Sequence, residues 1–216
     1  MSYDDTYARV RDLFGSDPDP LIVRHWELLD AALPVLDIGG GQGRNAFFLA
    51  REGYALEVLD PSEVGLRVVS EIATAEGLPI TAHLGGFETF EGVERGYGGI
   101  LVFGLVQLLT RDGIRDLLSR LDQWIAPRGT VFMTGHTTLD AGCAAREADP
   151  DRWCPIGLGS FRSIEGEIRT YLQPSELERL FEGWETVHSW EGLGPLHCHG
   201  DGPLEQHHAV EGVFRR

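Results

Sequence analysis

Four glycines and an aspartate near the start of the chain form the stretch whose residue types and spacing most directly suggest chemistry. Asp37 ends a short apolar run, and Gly39, Gly40, Gly41 and Gly43 follow it. A glycine-rich turn between a strand and a helix places backbone N–H groups and the positive end of the helix against a ligand, which suits nucleotides. The sequence therefore predicts that a nucleotide-like ligand lies against this turn.

Arg44 separates this motif from the fingerprint of nicotinamide-dependent dehydrogenases. The pattern G-x-G-x-x-G would need glycine or alanine at position 44, and an arginine there would crowd the contact between helix and strand. Asp60 ends the second apolar run about 20 residues later, where its carboxylate can accept hydrogen bonds from ribose hydroxyls. A nicotinamide-dependent oxidoreductase is thus an alternative that Arg44 opposes.

Alternating apolar strands and amphipathic helices must position these residues. The predicted strands are PVLDI, ALEVLD, PITAHL, GGILVFG and TVFMTG, and the predicted helices are RNAFFLAREG, SEVGLRVVSEIATAEG and TRDGIRDLLSRLDQWIAP. Nearly continuous apolar strands that alternate with helices indicate a doubly wound, mostly parallel sheet covered on both faces. A helix capped by Ser175, the strand WETVHSW and an antiparallel hairpin around GDGP are predicted to complete this α/β fold.

The whole chain, residues 1–216, is predicted to form one domain. Residues 1–32 are polar and aromatic, include an amphipathic helical stretch and precede the first strand, so we expect them to form a lid. Residues 136–172 lack a clear period and are long for a connection, which predicts a loop that covers the substrate side of the sheet.

Composition limits the partners that the protein can have. The chain has 216 residues and a formal net charge of −16, and it contains no basic run, so we expect neither a nucleic acid nor an anionic membrane as partner. Three irregularly spaced cysteines and the lack of a charged-then-apolar leader predict a cytoplasmic protein with free thiols. We expect a small-molecule substrate, and a monomer or homodimer.

The segment DIGGGQGRNAFFLAREGY resembles the first motif of class I methyltransferases that use S-adenosylmethionine, and is most similar to the tellurite-resistance group among them. The segments RHWELLD, ELERLFEGWETV and GPLH also resemble that group. The resemblance implies a seven-stranded, Rossmann-like sheet with an antiparallel last hairpin, and S-adenosyl-L-methionine as cofactor. The cofactor-binding residues assigned with its help are Asp37, Gly39, Gly40, Gly41, Gly43, Asn45, Asp60, Pro61, Gly86, Phe87, Phe103 and Gly104.

The chain departs from these relatives at two places. The class usually has an acidic residue after the third strand, where this chain has Gly85, Gly86 and Phe87. We therefore expect the adenine to pack on Phe87 and to be held by backbone groups. In the tellurite-resistance group an arginine follows the histidine that matches His197, whereas Cys198 follows it here. The identity of the methyl acceptor is left open.

Methyl transfer from a sulfonium is an in-line displacement, so the protein must mainly hold the nucleophile against the methyl carbon and exclude water. A soft sulfur, selenium or tellurium lone pair or a neutral amine needs no base, whereas a hydroxyl or protonated amine does. The predicted catalytic residues are His136, at the end of the fifth strand, and His197, near the last hairpin. The predicted substrate-binding residues are Tyr7, Phe14, Gln107, Trp153 and Phe161, although Trp153 and Phe161 would equally suit local packing.

The sequence allows three further interpretations. The stretch HCHGDGPLEQHH invites a metal site, but its spacing does not repeat and the adjacent His207 and His208 point to opposite faces, so no metal is expected and these histidines should titrate at the surface. A cyclase would use the same cofactor differently, closing a small ring and releasing methylthioadenosine. A non-catalytic protein would bind the cofactor without forming a product.

Overall fold

The computed structural model describes residues 3–10, 12–198, 202 and 204–216. Its strands are β1 (Val35–Ile38), β2 (Leu56–Asp60), β3 (Ile80–Leu84), β4 (Tyr97–Val102), β5 (Ile125–His136), β6 (Trp153–Gly157), β7 (Ser160–Ser163), β8 (Ile168–Thr170), β9 (Glu185–Leu193) and β10 (His208–Arg215). Its helices are α1 (Tyr3–Arg9), α2 (Pro20–His25), α3 (Arg44–Arg51), α4 (Glu63–Glu76), α5 (Arg111–Trp124), α6 (Ala141–Glu147) and α7 (Glu176–Leu180).

Seven strands form the main sheet, in the order β3, β2, β1, β4, β5, β10, β9. Strands β1 to β5 run parallel to one another, and β10 is antiparallel to both β5 and β9. This topology confirms the predicted doubly wound, mostly parallel sheet with an antiparallel C-terminal hairpin. The described residues include no helix with the length and apolarity needed to cross a bilayer.

Two hydrophobic layers cover the sheet because side chains alternate along each strand. Val35 of β1 packs in the layer that contains α2, α3 and α4, whereas its neighbour Leu36 packs in the layer that contains α5 and α7. Hydroxyl caps set where two of these helices begin. The Ser62 hydroxyl oxygen accepts from the N–H of the third residue of α4, and the Thr110 hydroxyl does the same for α5.

The segment 136–172 differs from the loop that its sequence pattern predicts. It contains α6 and a separate antiparallel sheet with the order β6, β7, β8. Trp153, Phe161, Tyr171 and Cys143 are buried together as a small core between these elements. Each strand is only three to five residues long, so the packing that stabilises them joins residues too far apart to produce a local period.

Near the C-terminus, the predicted cap at Ser175 is wrong, whereas the predicted antiparallel hairpin is confirmed. Ser175 precedes α7 but has a left-handed backbone and no side-chain capping bond, and the Glu176 carboxylate instead accepts from the Gln173 N–H. The last hairpin is formed by β9, which contains most of the predicted strand WETVHSW, and by β10, and of the GDGP stretch between them only Gly202 is described. In the connection between these strands, His197 and Glu205 form one isolated bridge.

Candidate functional site

The predicted site residues gather mostly along the edge of the sheet where β1, β2, β4 and β5 end. Because β10 is antiparallel, it begins at this same edge beside the end of β5. We call residues 37–45 and 60–65 with α1 the glycine half of the edge. We call residues 134–140, Tyr171 and the described residues of 197–208 the histidine half.

Asp60 is tied to the glycine turn by its carboxylate. Its Oδ2 accepts from the Gly41 N–H at 2.8 Å, and its Oδ1 accepts from the Ser62 N–H at 2.8 Å. Burial raises the pKa of Asp60, and these two N–H groups oppose the rise. Because each carboxylate oxygen has a second lone pair, both can still accept from ribose hydroxyls.

Asp37 carries a buried carboxylate oxygen that lacks a hydrogen-bond partner in the described part of the chain. The residue is 2% exposed, and its Oδ2 is the unpartnered atom. Burial first, and the charge of Asp60 second, raise the pKa of Asp37 to about 7. A buried polar atom left unpaired is costly, so this oxygen fits the cationic group of a ligand.

Gly41 and Gly43 shape the turn between these carboxylates. Their φ angles of +55° and +86° lie in the left-handed region that side chains disfavour. A Cβ on Gly41 would lie 2.6 Å from the Tyr7 hydroxyl oxygen, and one on Gly43 would lie 2.9 Å from a methyl group of Val69. The turn therefore requires glycine both for its backbone conformation and for the close approach of its neighbours.

Helix α1 lies over this turn. The Asp4 carboxylate accepts from the Ser62 hydroxyl and from the Val64 N–H at the start of α4. Tyr7 is 7% exposed and faces Gly41. The structure thus brings the predicted substrate residue Tyr7 to the glycine half.

The chain between α1 and α2 is held by side chains that follow the glycines. The Gln42 side-chain oxygen accepts from the Leu13 N–H at 3.0 Å, Arg44 donates to the Phe14 carbonyl at 2.8 Å, and the Asn45 side-chain oxygen accepts from the Asp19 N–H at 2.8 Å. Asn45, predicted to bind cofactor, anchors the N-terminal segment.

Phe14, predicted to bind substrate, is 40% exposed, whereas the neighbouring Leu13 is buried. This is the one predicted N-terminal contact that the structure turns toward solvent. Of the two predicted N-terminal aromatic residues, Tyr7 is the one that lies against the glycine turn.

The residues assigned to adenine are distributed between a cavity and the core. Phe87 is 3% exposed and packs with Leu59 and Val102 in the core. Pro61 is exposed, and Phe103 is partly buried against the layer of α2 and α3. A cavity of about 340 Å³ beside them is lined by Leu59, Ala82, His83, Leu84, Gly85, Gly86, Thr89, Phe90 and Glu91. Gly86 thus reaches this cavity, whereas the Phe87 ring belongs to the core.

Gly104 and Gln107 lie between the two halves, just after β4. The Gly104 N–H donates to the Thr134 hydroxyl of β5 at 3.1 Å. The Gln107 side-chain oxygen is buried and, among the described residues, has no hydrogen-bond partner. It is therefore a second polar atom that a ligand at this edge would satisfy.

The histidine half contains both predicted catalytic residues together with His207. The His136 ring stacks on the His207 ring with centroids 4.3 Å apart and an interplanar angle of 17°, and the His197 ring lies 5.3 Å from His207. Burial first, and the neighbouring His207 second, lower the pKa of His136 to about 4. His136 is therefore neutral at pH 7.

Asp140 fixes the position of His207, which the sequence predicts to be a surface histidine. Asp140 is 2% exposed, and its Oδ2 lies 3.0 Å from His207 Nδ1 and accepts from the His208 N–H at 2.8 Å. Its Oδ1 accepts from the Gly142 N–H at 2.7 Å. The two histidines do point apart, since His208 Nδ1 contacts the Thr137 hydroxyl instead. No sequence pattern connects Asp140 with His207, 67 positions later.

Trp153 and Phe161 pack locally, which is the alternative to the predicted substrate-binding role. Both belong to the small core under the β6–β8 sheet, and the Arg146 guanidinium lies 4.6 Å from the Trp153 ring. The cation that contacts the Trp153 ring is therefore a side chain of the protein itself. The described residues contain no group of three or more His, Cys, Asp or Glu side chains that could hold a metal ion, and His199 lies outside them.

The sheet order, the glycine turn after β1 and the carboxylate ending β2 define the class I methyltransferase fold. The sequence matches the family described as "Tellurite resistance protein TehB" over residues 22–203, so the chain belongs to the TehB family. It is 24% identical over 196 residues to the "Probable S-adenosyl-L-methionine-dependent methyltransferase TehB" of Haemophilus influenzae, covering 88% of this chain and 61% of that protein. The chain thus spans less than two thirds of this relative.

Solved structures show the same fold. The crystal structure of TehB from Haemophilus influenzae matches with a TM-score of 0.72 and 18% identity, over 100% of this chain and 68% of that one. A structure reported for the conversion of a disulfide bond into a thioacetal group during echinomycin biosynthesis matches with a TM-score of 0.68 and 26% identity, over 99% of this chain and 91% of that one.

Proposed function

We propose that this protein is an S-adenosylmethionine-dependent methyltransferase that acts on a small molecule. The observation that carries the proposal is the buried, unpartnered Oδ2 of Asp37 beside the glycine turn. A methionine ammonium group would supply the missing partner. Membership of the TehB family supports the same cofactor.

Different residues of the glycine half would bind different parts of the cofactor. Asp60 would accept the ribose hydroxyls, and the turn from Gly39 to Gly43 would lie under the methionine end. Tyr7 would close over it from α1 and exclude water. The bound cofactor supplies a methyl group on a cationic sulfur that leaves as a neutral thioether. The chain must then orient an acceptor in line with that bond, where proximity can contribute about 7 to 11 kcal/mol.

The acceptor is proposed to be a soft nucleophile, with sulfur, selenium, tellurium or nitrogen as the attacking atom. Gln107, with its unpartnered oxygen, and the histidine half are the groups that would contact it. His136 is neutral at pH 7, so it would serve as a hydrogen-bonding wall of this site rather than as an anion-binding cation.

Calorimetry with S-adenosylmethionine tests the cofactor site. Hydrogen bonds to a charged group contribute about 1.5 to 3 kcal/mol each, so Asp60→Ala should weaken binding at least about tenfold. Asp151→Ala, which removes an exposed carboxylate in the turn before β6, is the matched control and should bind like the wild type. Equal affinity of Asp60→Ala and the control, with both folded, would contradict the assignment.

Mass spectrometry of the products tests the reaction. A methyltransferase gives S-adenosylhomocysteine and a methylated acceptor when soft nucleophiles are added. Release of methylthioadenosine from the cofactor alone would instead establish the cyclase. Binding without either product, across thiol, selenol and amine acceptors, would leave a cofactor-binding protein.

A further inference from the structure

The contacts of Asp140 determine which ring nitrogen of His207 carries hydrogen. A carboxylate only accepts hydrogen bonds, so His207 Nδ1, 3.0 Å from Asp140 Oδ2, must be the donor. In the neutral imidazole the other nitrogen, Nε2, is then an acceptor. Asp140 is held in turn by the N–H groups of Gly142 and His208, which fixes its orientation.

Two carboxylates and a second imidazole surround the His207 ring. Glu205 Oε2 lies 3.4 Å from Nε2, beyond the usual length of an N–H···O hydrogen bond, so this contact does not require Nε2 to be a donor. The stacked His136 stays neutral at pH 7. A proton taken up by His207 would therefore lie between two carboxylates and against an uncharged ring. The described titratable groups beside Asp140 and His207 also include His197, Tyr171, Cys143 and Arg146. The side chain of His207 keeps 24% of its surface exposed.

Asp140 and His207 lie at the edge of the sheet where the predicted site residues gather. Thr134 and His136 point to the same face of β5 because they are two residues apart, and Thr134 accepts from the Gly104 N–H at the end of β4. His207 stacks on His136 on this face. An acceptor that lies between Gly104 and His136 would therefore meet His207.

We propose that Asp140 and His207 form a proton-accepting pair for a methyl acceptor whose nucleophilic atom carries a hydrogen. This deepens, and rests on, the proposed methyltransferase function. His207 Nε2 takes the proton, and Asp140 is the positioning residue that holds the ring in the required tautomer. Among soft nucleophiles, the pair selects a thiol, a selenol or an N–H group over a thioether or an anion already formed.

The step balances without a further reactant. The bond from the nucleophile to the methyl carbon forms as the carbon–sulfur bond breaks, and the electron pair of that bond goes to sulfur. The hydrogen of the nucleophile passes as a proton to His207 Nε2. The imidazolium then releases it to solvent, so each turnover leaves one methylated acceptor, one neutral thioether and one proton.

Two thiols and the variant His207→Asn test the pair. Asparagine can still donate to Asp140 in place of Nδ1, but it has no atom in place of Nε2. At pH 7 the alkyl thiol 2-mercaptoethanol still carries its hydrogen, whereas thiophenol is largely a thiolate. General base catalysis contributes about 10² to 10⁴, so the variant should methylate 2-mercaptoethanol at least about 10²-fold more slowly, and thiophenol close to the wild-type rate.

His188→Asn is the matched control. His188 also contacts a carboxylate, Glu211 at 2.9 Å, and packs on a second histidine, His25, at 4.8 Å. It pairs with Val213, five residues along β10 from His208 and far from the reacting edge. The control should methylate both thiols like the wild type. Equal losses for both thiols in His207→Asn, or no loss for either, would overturn the proton-accepting role.

A measurement that needs no turnover tests the proton-accepting pair separately from the proposed methyltransferase function. Long-range ¹H–¹⁵N NMR, with the His207 signals assigned through His207→Asn, reports the tautomer of the neutral ring. Hydrogen on Nδ1 supports the pair, and hydrogen on Nε2 overturns it. If the wild type methylates neither thiol, the proposed function fails for thiols, and the tautomer still decides whether His207 can accept a proton.

Discussion

The glycine half and the histidine half of the edge each bury an ionisable group and shift its pKa toward the uncharged form, but they are assembled differently. In the glycine half the group is the Asp37 carboxyl, whose pKa is raised to about 7, and it belongs to one short stretch of chain. In the histidine half it is the His136 imidazole, whose pKa is lowered to about 4.

The residues around His136 come from three separate parts of the chain. Asp140 precedes α6, Tyr171 follows β8, and His197 and His207 come from the connection before β10. A turn whose shape is fixed by its own backbone suits a ligand that stays the same, such as a cofactor. A cluster that depends on how distant elements pack can change its acceptor while the cofactor site stays the same.

The largest expected difference between the halves comes from Asp140→Asn. The amide keeps the shape of Asp140 but no longer holds His207 with Nδ1 as the obligatory donor, so methylation of 2-mercaptoethanol should fall by about 10². The affinity for S-adenosylmethionine should stay near the wild-type value because the glycine half is untouched. The rate should recover as pH rises and the thiol ionises, whereas a purely structural defect would persist at every pH.

A smaller effect is expected from Gly43→Ala, which tests the backbone of the glycine half. Left-handed backbone costs a non-glycine residue about 1 to 2 kcal/mol, and the added Cβ would also meet Val69 and Phe47 within about 3 Å. Gly166→Ala is the matched control, since Gly166 has a φ of +89° but no atom within 4 Å of the added Cβ.

Overpacking costs about 1 to 3 kcal/mol, so the free energy of unfolding in urea should fall by that much more for Gly43→Ala than for Gly166→Ala. If the free energy of unfolding falls equally in the two variants, the close packing around Gly43 relaxes without cost.

Opposite pH dependences of stability are expected in the two halves. Between about pH 4 and 7 folded Asp37 keeps a proton that the unfolded chain releases, so the wild type should lose stability relative to Asp37→Asn as pH rises. Between pH 6.5 and about 4 the unfolded chain protonates at position 136 while folded His136 does not, so the wild type should lose stability relative to His136→Gln as pH falls. Urea unfolding across pH 4 to 7.5 measures both pH dependences. If the free energy of unfolding changes with pH in the same way for the wild type and a variant, the shifted pKa of the residue replaced in that variant is contradicted.

Most of the fold could be predicted from the sequence because its signals are local. Apolar strands, the helix ended by Gly77 and the caps at Ser62 and Thr110 each depend on residues a few positions apart. The β6–β8 sheet escaped prediction because Trp153, Phe161 and Tyr171 stabilise one another across three short strands rather than within one.

The candidate site divides in the same way. By itself the sequence determined the glycine half, since Asp37, the glycines and Asp60 form a motif whose spacing follows from one turn between strand and helix. Only the tertiary structure decided the histidine half. Asp140 meets His207 because β10 inserts antiparallel beside β5 and begins where β5 ends, which joins two residues 67 positions apart that no local pattern relates.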